Sequence, residues 1–266
     1  MTTRPYALIT GASSGIGAAM ARLAANNGFD VGLVARRADR LSVLAQNLES
    51  RGAKADIFVA DLARPGMAVE CAERVLVLRR VPSLLVNNAG STVADSFANA
   101  PMAEQERFIE LTVKAPVVLT RMLLPSMIEA GHGRIINIGS ITALSSGAKG
   151  NTLYPAGKAF LLKFSQSLNA EVKRRGVFVT AVLPGFVATE FQAANGLPVE
   201  RSPLTQHFAQ SAEQVANEAW RRNAKGHEIV VPGAGPKCAA ALMRVLPEPI
   251  MRNLTRAAAE KYYVGD

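Results

Sequence analysis

Seven short apolar or β-branched runs punctuate the chain: YALIT (6–10), VGLVA (31–35), ADIFVA (55–60), SLLVN (83–87), RIINI (134–138), FVTAVL (178–183) and EIVV (228–231). Each is short and apolar throughout rather than alternating, the pattern of a strand buried on both faces. Between them, residues 18–27, 39–50, 66–80, 102–130 and 152–176 carry apolar side chains at helical spacing. The alternation predicts β-α-β units, hence a parallel sheet covered by helices on both faces. The pattern runs to about residue 190 without repeat or linker. Residues 191–203, rich in Ala, Asn, Gly, Pro and Ser, then read as a mobile loop. The domain is drawn as 1–236, with a pocket-lining segment over about 190–226, and residues 237–266 as a helical extension of it.

The first strand runs directly into TGASSGIG (10–17) and then a helix. In that context Gly11 permits a tight turn, Gly15 lets backbone approach a pyrophosphate, and Gly17 lets the helix pack on the strand. Ser13, Ser14 and Ile16 complete the turn, a candidate dinucleotide site. An NAD site usually carries a carboxylate at the end of the second strand, where it bonds the ribose 2′-hydroxyl. Here the sequence reads VARRADR, with Arg36 and Arg37 in that place. A guanidinium grips a phosphate through paired charge-assisted hydrogen bonds, so NADP(H) is the expected cofactor and Arg36 the first candidate.

Composition narrows the class. At 49% apolar and 19% charged over 266 residues, the chain is an ordinary globular one. Cys71 and Cys238 lie far apart without ligand spacing, so neither a disulfide framework nor a metal site is expected, and a cytoplasmic location fits. The N-terminus has no room for a signal peptide before the glycine turn, and with Arg121 and Arg244 interrupting the apolar stretches no membrane-spanning helix is expected. The net charge of +9 lacks any basic run interleaved with aromatics, so a solvated basic surface is preferred to a nucleic-acid groove.

TGASSGIG (10–17), DL (61–62), NNAG (87–90), GS (139–140), YPAGK (154–158) and PGFVAT (184–189) stand in the order typical of one family. Over roughly residues 5–235 the chain resembles the classical short-chain dehydrogenases/reductases. The resemblance implies a single Rossmann-type doubly wound α/β domain with a seven-stranded parallel sheet in the order 3-2-1-4-5-6-7. It also implies Asp61 and Leu62 near the adenine, Asn88, Ala89 and Gly90 supporting the cofactor, and Pro184, Gly185, Val187 and Thr189 flanking the nicotinamide.

The residues carry their own chemical argument. Tyr154 and Lys158 are four apart and share a helix face, with Pro155 tolerable in a first turn. A nearby ammonium favours a phenolate, which makes Tyr154 a general acid/base. Ser140 would hydrogen-bond the carbonyl oxygen and Lys158 would hold the nicotinamide ribose. Two departures stand out. Thr112 occupies the place where the family carries an Asn that helps a water relay protons to the lysine. Ser140 precedes Tyr154 by fourteen residues, one more than usual in the family, which points to a loop insertion around Ser145–Asn151.

The expected activity is hydride transfer between NADP(H) and a carbonyl or secondary alcohol of an apolar substrate such as a ketone or 3-oxoacyl compound. Phe191, Leu197, Leu204 and Phe208 suggest an apolar pocket mouth. The alternative is a non-catalytic NADP(H)-binding sensor or scaffold. A homodimer or homotetramer through helices 102–130 and 152–176 is expected from the resemblance. The tail sets Leu242, Met243, Val245, Leu246, Ile250, Met251 and Leu254 beside Arg244, Arg252, Arg256 and Lys261. Such a basic amphipathic pattern suits packing or peripheral membrane contact, packing being preferred.

Overall fold

The structure is a computed structural model that describes residues 4–78, 81–93, 95–147, 152–195 and 209–262. Strands β1 (Tyr6–Thr10), β2 (Asp30–Ala35), β3 (Ala55–Val59), β4 (Pro82–Asn87), β5 (Gly133–Ile138), β6 (Val177–Val182) and β7 (Ile229–Val230) form one sheet in the order 3-2-1-4-5-6-7. All its pairings are parallel. The apolar runs form these strands because side chains leave both faces into helical layers. Ala7, Ile9, Leu33 and Val86 enter one layer with α1 (Gly15–Asn26) and α2 (Ala38–Glu49). Tyr6, Leu8, Val34 and Leu85 enter the other, with α3 (Met67–Val77) and α5 (Ala115–Glu129).

The helix expected over 102–130 is not uniform. It comprises α4 (Met102–Ile109), a π-turn (Glu110–Lys114) and α5. By length and composition alone, the helical run Met102–Glu129, which contains an 18-residue window of mean hydropathy 1.3, could cross a membrane, contrary to the sequence expectation. Its apolar character has a packing cause: Leu119, Leu123 and Met127 are fully covered in the core layer beside β4 and β5.

After α6 (Leu153–Val172) and β6, a single turn α7 (Phe191–Ala194) opens the region expected to line the pocket; residues 196–208, including Leu197, Leu204 and Phe208, lie outside the described set. The boundary at 226 needs correction, because α8 (Ala212–Asn223) belongs to the helical layer. Ser211 Oγ accepts from Gln214 N at 3.1 Å while Gln214 Oε1 accepts from Ser211 N at 2.9 Å, a reciprocal cap. Val215, Ala216 and Ala219 then join the core beside α1. The C-terminal extension also begins earlier than residue 237, with α9 (Ala234–Val245) followed by α10 (Glu248–Tyr262).

A buried polar cluster locks α8 to the sheet. Arg134 donates from Nε to Asn223 Oδ1 at 2.7 Å and from Nη2 to the Trp220 carbonyl at 2.8 Å, and its guanidinium lies 4.4 Å from the Trp220 ring centroid. Asn223 Nδ2 donates to Thr180 Oγ1 at 2.9 Å. Burial pulls the Arg134 guanidinium down to about 10, so its remaining hydrogen bonds matter. Asn223→Ala should destabilise the fold by about 2–3 kcal/mol, because it strands the Arg134 Nε donor and the acceptors Thr180 Oγ1 and the Ile135 carbonyl. Thermal unfolding should register this as a drop of roughly 4–10 °C; an unchanged midpoint would show that the cluster contributes nothing.

Candidate active site

The turn after β1 is built by a clasp between β1 and β4. Thr10 Oγ1 accepts from the N–H groups of Asn88 and Ala89, both at 3.0 Å, and donates to the Val86 carbonyl at 3.2 Å. Asn88 Nδ2 donates to the carbonyls of Thr10 at 2.9 Å and Gly11 at 3.3 Å. Gly11 sits at φ +65°, where side chains are rarely accepted, and a Cβ on Gly17 would fall 2.2 Å from the Gly11 carbonyl oxygen. Both glycines are therefore dictated by geometry. Ser14 caps α1 without a side-chain bond to it, so the helix's leading N–H groups remain available to an anion. Ser13, Ser14, Gly15 and Thr189 line a cleft of about 690 Å³ in front of that terminus. This donor set fits a pyrophosphate.

The two arginines after β2 part company. Arg37, rather than the favoured Arg36, turns back onto the glycine turn: its Nη2 donates to Ser13 Oγ at 2.9 Å and Ser14 Oγ at 2.7 Å. Arg36 is exposed and lies toward Asp61. Although burial alone would raise the Asp61 carboxyl, it is held below its ordinary range by hydrogen bonds from Arg107 and the Ala63 N–H, and by the charges of Arg107 and Arg36. Arg107 Nη2 donates to Asp61 Oδ2 at 2.8 Å, and Leu62 is buried beside it.

Lys158, Tyr154 and Ser140 converge at the end of β5. The Lys158 ammonium donates to the Ile138 carbonyl at 3.0 Å, two residues before Ser140, and lies 5.6 Å from the Tyr154 ring centroid. A Cβ on Gly90 would stand 3.5 Å from Lys158 Nζ, which brings the NNAG segment to the same point. Ser140 Oγ accepts twice from Thr142, from its N–H at 3.2 Å and its hydroxyl at 2.9 Å. With both lone pairs engaged, the Ser140 proton is left to donate outward. Thr142 was missed in the sequence, although a hydroxyl two residues after Ser140 is the usual signal of a local side-chain turn. Phe191 packs its ring 6.1 Å from that of Tyr154. The expected insertion falls partly on residues 148–151, outside the described set; Ser145 Oγ is engaged with the Thr142 carbonyl at 2.8 Å.

Thr112 lies within the π-turn, 1% exposed, and its Oγ1 has no hydrogen-bond partner. Its methyl is 3.1 Å from where a Gly157 Cβ would stand, so it sits directly behind the residue preceding Lys158. A buried orphan hydroxyl of this kind is where an ordered water belongs. Beyond β6, Pro184 is buried, Val187 is bridged to Gln210, and Gly185 faces Pro236 of α9, where a Cβ would approach to 2.7 Å. The tail thus begins against the loop after β6, and α9 packs on the turn Ile141–Leu144 that follows Ser140. Glu190, which the sequence reading passed over, accepts from Arg37 Nη1 at 3.1 Å and Arg40 Nη1 at 2.5 Å. Hydrogen bonds from Arg40 and then Arg37 hold its carboxyl below the ordinary range.

The family model for short chain dehydrogenases matches residues 5–198. The chain belongs to the classical short-chain dehydrogenase/reductase family. It is 37% identical to nodulation protein G of Rhizobium sp. (strain N33) over 181 residues, 68% of this chain and 72% of the relative. Among solved structures, a short-chain dehydrogenase from Sphingobium yanoikuyae in complex with NADPH is 32% identical with a TM-score of 0.79, covering 92% of this chain and 97% of that one. The bulky-bulky ketone specific alcohol dehydrogenase from Comamonas testosteroni is 30% identical with a TM-score of 0.74, covering 93% and 96%. As a short-chain dehydrogenase, the protein is an oxidoreductase that binds a nicotinamide cofactor.

Burial pushes the Lys158 ammonium from 10.5 down to about 8. Below pH 8 native and unfolded chains both hold the proton, and the native state bears the full desolvation cost. Between pH 8 and 10.5 the native state releases it first, so stability rises with pH. Lys158→Met should therefore be more stable than wild type at pH 7, by at most about 3 kcal/mol less the lost hydrogen bond to Ile138. The gap should close as the pH climbs through 8 toward 10; denaturant midpoints across that range that stay parallel would refute the assignment.

Proposed function

We propose that this short-chain dehydrogenase uses NADP(H) to interconvert a carbonyl and a secondary alcohol on an apolar substrate, a ketone or 3-oxoacyl compound. The observation that carries the chemistry is the convergence of Lys158, the Tyr154 ring and Ser140, with Ser140 oriented as a donor by Thr142. When bound, the nicotinamide supplies or accepts the hydride. Ser140 donates to the substrate oxygen and Tyr154 passes a proton to it during reduction, so negative charge never develops unaided. Lys158, charged below about pH 8, favours the tyrosinate that remains and would also hold the nicotinamide ribose. Thr112 then offers its orphan hydroxyl to a water behind the lysine. Apolar substrate is supported by Phe191 beside Tyr154 and by the likeness to a bulky-ketone alcohol dehydrogenase.

The NADP(H) preference rests on Arg37 at the glycine turn with Arg36 nearby, and on relatives solved with NADPH. Assembly into a homodimer or homotetramer is supported by exposed apolar side chains on the helices expected to meet: Ile109 is 46% exposed, and Phe160, 38% exposed, stacks on Phe164.

Tyr154→Phe should lower kcat at least about 10²-fold while leaving NADPH binding intact, measured by absorbance at about 340 nm against bulky ketones and by titration calorimetry; retained turnover would sink the acid/base role. Wild type should favour NADPH over NADH, and Arg37→Asp should move that ratio toward NADH more than Arg36→Asp does, by adding repulsion as well as deleting attraction. Equal use of both cofactors by wild type would defeat the assignment.

A further inference from the structure

The arginines that suit a cofactor phosphate are already engaged with an anion of the protein itself. Arg37 spends its remaining terminal nitrogen on Glu190 Oε2, and Arg40, one turn further along α2, donates to the same oxygen. Glu190 comes from the loop after β6, 150 residues away from Arg40 in sequence. Arg40 and Glu190 both line the cleft in front of the glycine turn, so the ion pairs bridge two chain segments at its edge. All three side chains are solvent-accessible, at 38%, 41% and 52% for Arg37, Arg40 and Glu190.

A carboxylate and a phosphate monoester make the same demand on a guanidinium fork, namely acceptor oxygens carrying negative charge. We propose that Glu190 determines cofactor specificity by competing for Arg37 and Arg40 with the 2′-phosphate of the nucleotide, and that Arg40 is a phosphate-binding residue alongside Arg37. The inference rests on the NADP(H) reading and deepens it. Because the pairs are exposed and screened, they form a weak latch that a phosphate group carrying nearly two charges can displace. An uncharged 2′-hydroxyl cannot displace it, and a carboxylate left in place is the ordinary acceptor for that hydroxyl. Glu190 therefore narrows the gap between the two cofactors. Phe191, the next residue, lies against Tyr154, so releasing Glu190 also loosens the turn that borders the reacting group.

The test is titration calorimetry on the full-length protein with adenosine 2′,5′-bisphosphate and 5′-AMP, probes that carry no nicotinamide. Glu190→Gln keeps the shape and an acceptor while removing the charge. It should tighten the bisphosphate about three- to tenfold and leave 5′-AMP unchanged, and the gain should shrink between about 0.05 M and 0.5 M salt. Arg40→Met should weaken the bisphosphate selectively. In wild type, hydrogen exchange at residues 190–195 should speed up with the bisphosphate and not with 5′-AMP. If wild type fails to prefer the bisphosphate, the NADP(H) reading itself falls, and this inference with it. If that preference holds but Glu190→Gln leaves bisphosphate affinity unchanged or weaker, or tightens both probes equally, the competition is overturned while the cofactor assignment stands.

Discussion

The clasp between Thr10 and Asn88 is the contact on which the geometry of the site depends. One hydroxyl accepts from two successive N–H groups at the end of β4, and one amide returns two hydrogen bonds to the end of β1. The central strands thereby end at one level. Gly11 is forced into its left-handed conformation beside that amide, Gly17 has no room for a side chain, and α1 must start where it does. The same segment places Gly90 where an added side chain would touch the Lys158 head group. Anion-binding terminus and reacting pair are thus positioned from opposite ends of four residues, Asn87 to Gly90.

Behind that clasp the site is supported by polar groups in places where apolar ones would be more comfortable. Asn87 donates to Asn137 at 2.8 Å, Asn137 donates to Ser165 at 2.8 Å, and Ser165 donates to the Leu161 carbonyl at 2.6 Å, a chain linking β4 through β5 to α6. Lys158 adds a buried ammonium with a single carbonyl partner among its described hydrogen bonds. An uncompensated charge in a protein interior is costly, and its retention beside a tyrosine ring marks a place where chemistry outweighs stability. Thr142 is a quieter case of the same logic, since it fills both acceptor sites of Ser140 and leaves one proton facing outward.

Much of this was legible in the sequence because it depended on local rules. Strand runs, the glycine turn and the Tyr154–Lys158 spacing each express a period or a steric demand that a short window contains. Features set by contacts between distant segments were not. Nothing in VARRADR says whether Arg36 or Arg37 folds back on Ser13, because that depends on the twist at the end of β2. Glu190 reads as an ordinary loop acid until β6 carries it across to α2. The π-turn was hidden because an extra backbone residue leaves the apolar pattern of 102–130 nearly intact. The helix over 212–223, in contrast, was written plainly: Ser211 and Gln214 spell a capping box ahead of apolar residues at 212, 215, 216 and 219, and the polar texture of the preceding loop obscured it.

The π-turn sets different tolerances for changes of length and changes of type. Each residue added to or removed from a helix rotates everything beyond it by about 100°. A one-residue deletion within Glu110–Lys114 would relax the wide turn into plain helix. Because that turn already holds the extra residue, Leu119, Leu123 and Met127 would keep their place against the sheet and α4 its buried Phe108, whereas the same deletion at the start of α5 would swing the three away. Point changes at Thr112 disturb one hydroxyl and a codon lost from the π-turn is absorbed by it, but a codon lost within α5 disturbs the whole layer. Family members that differ by one residue along this helix should therefore differ at the π-turn, where length is absorbed without rotating a packed face.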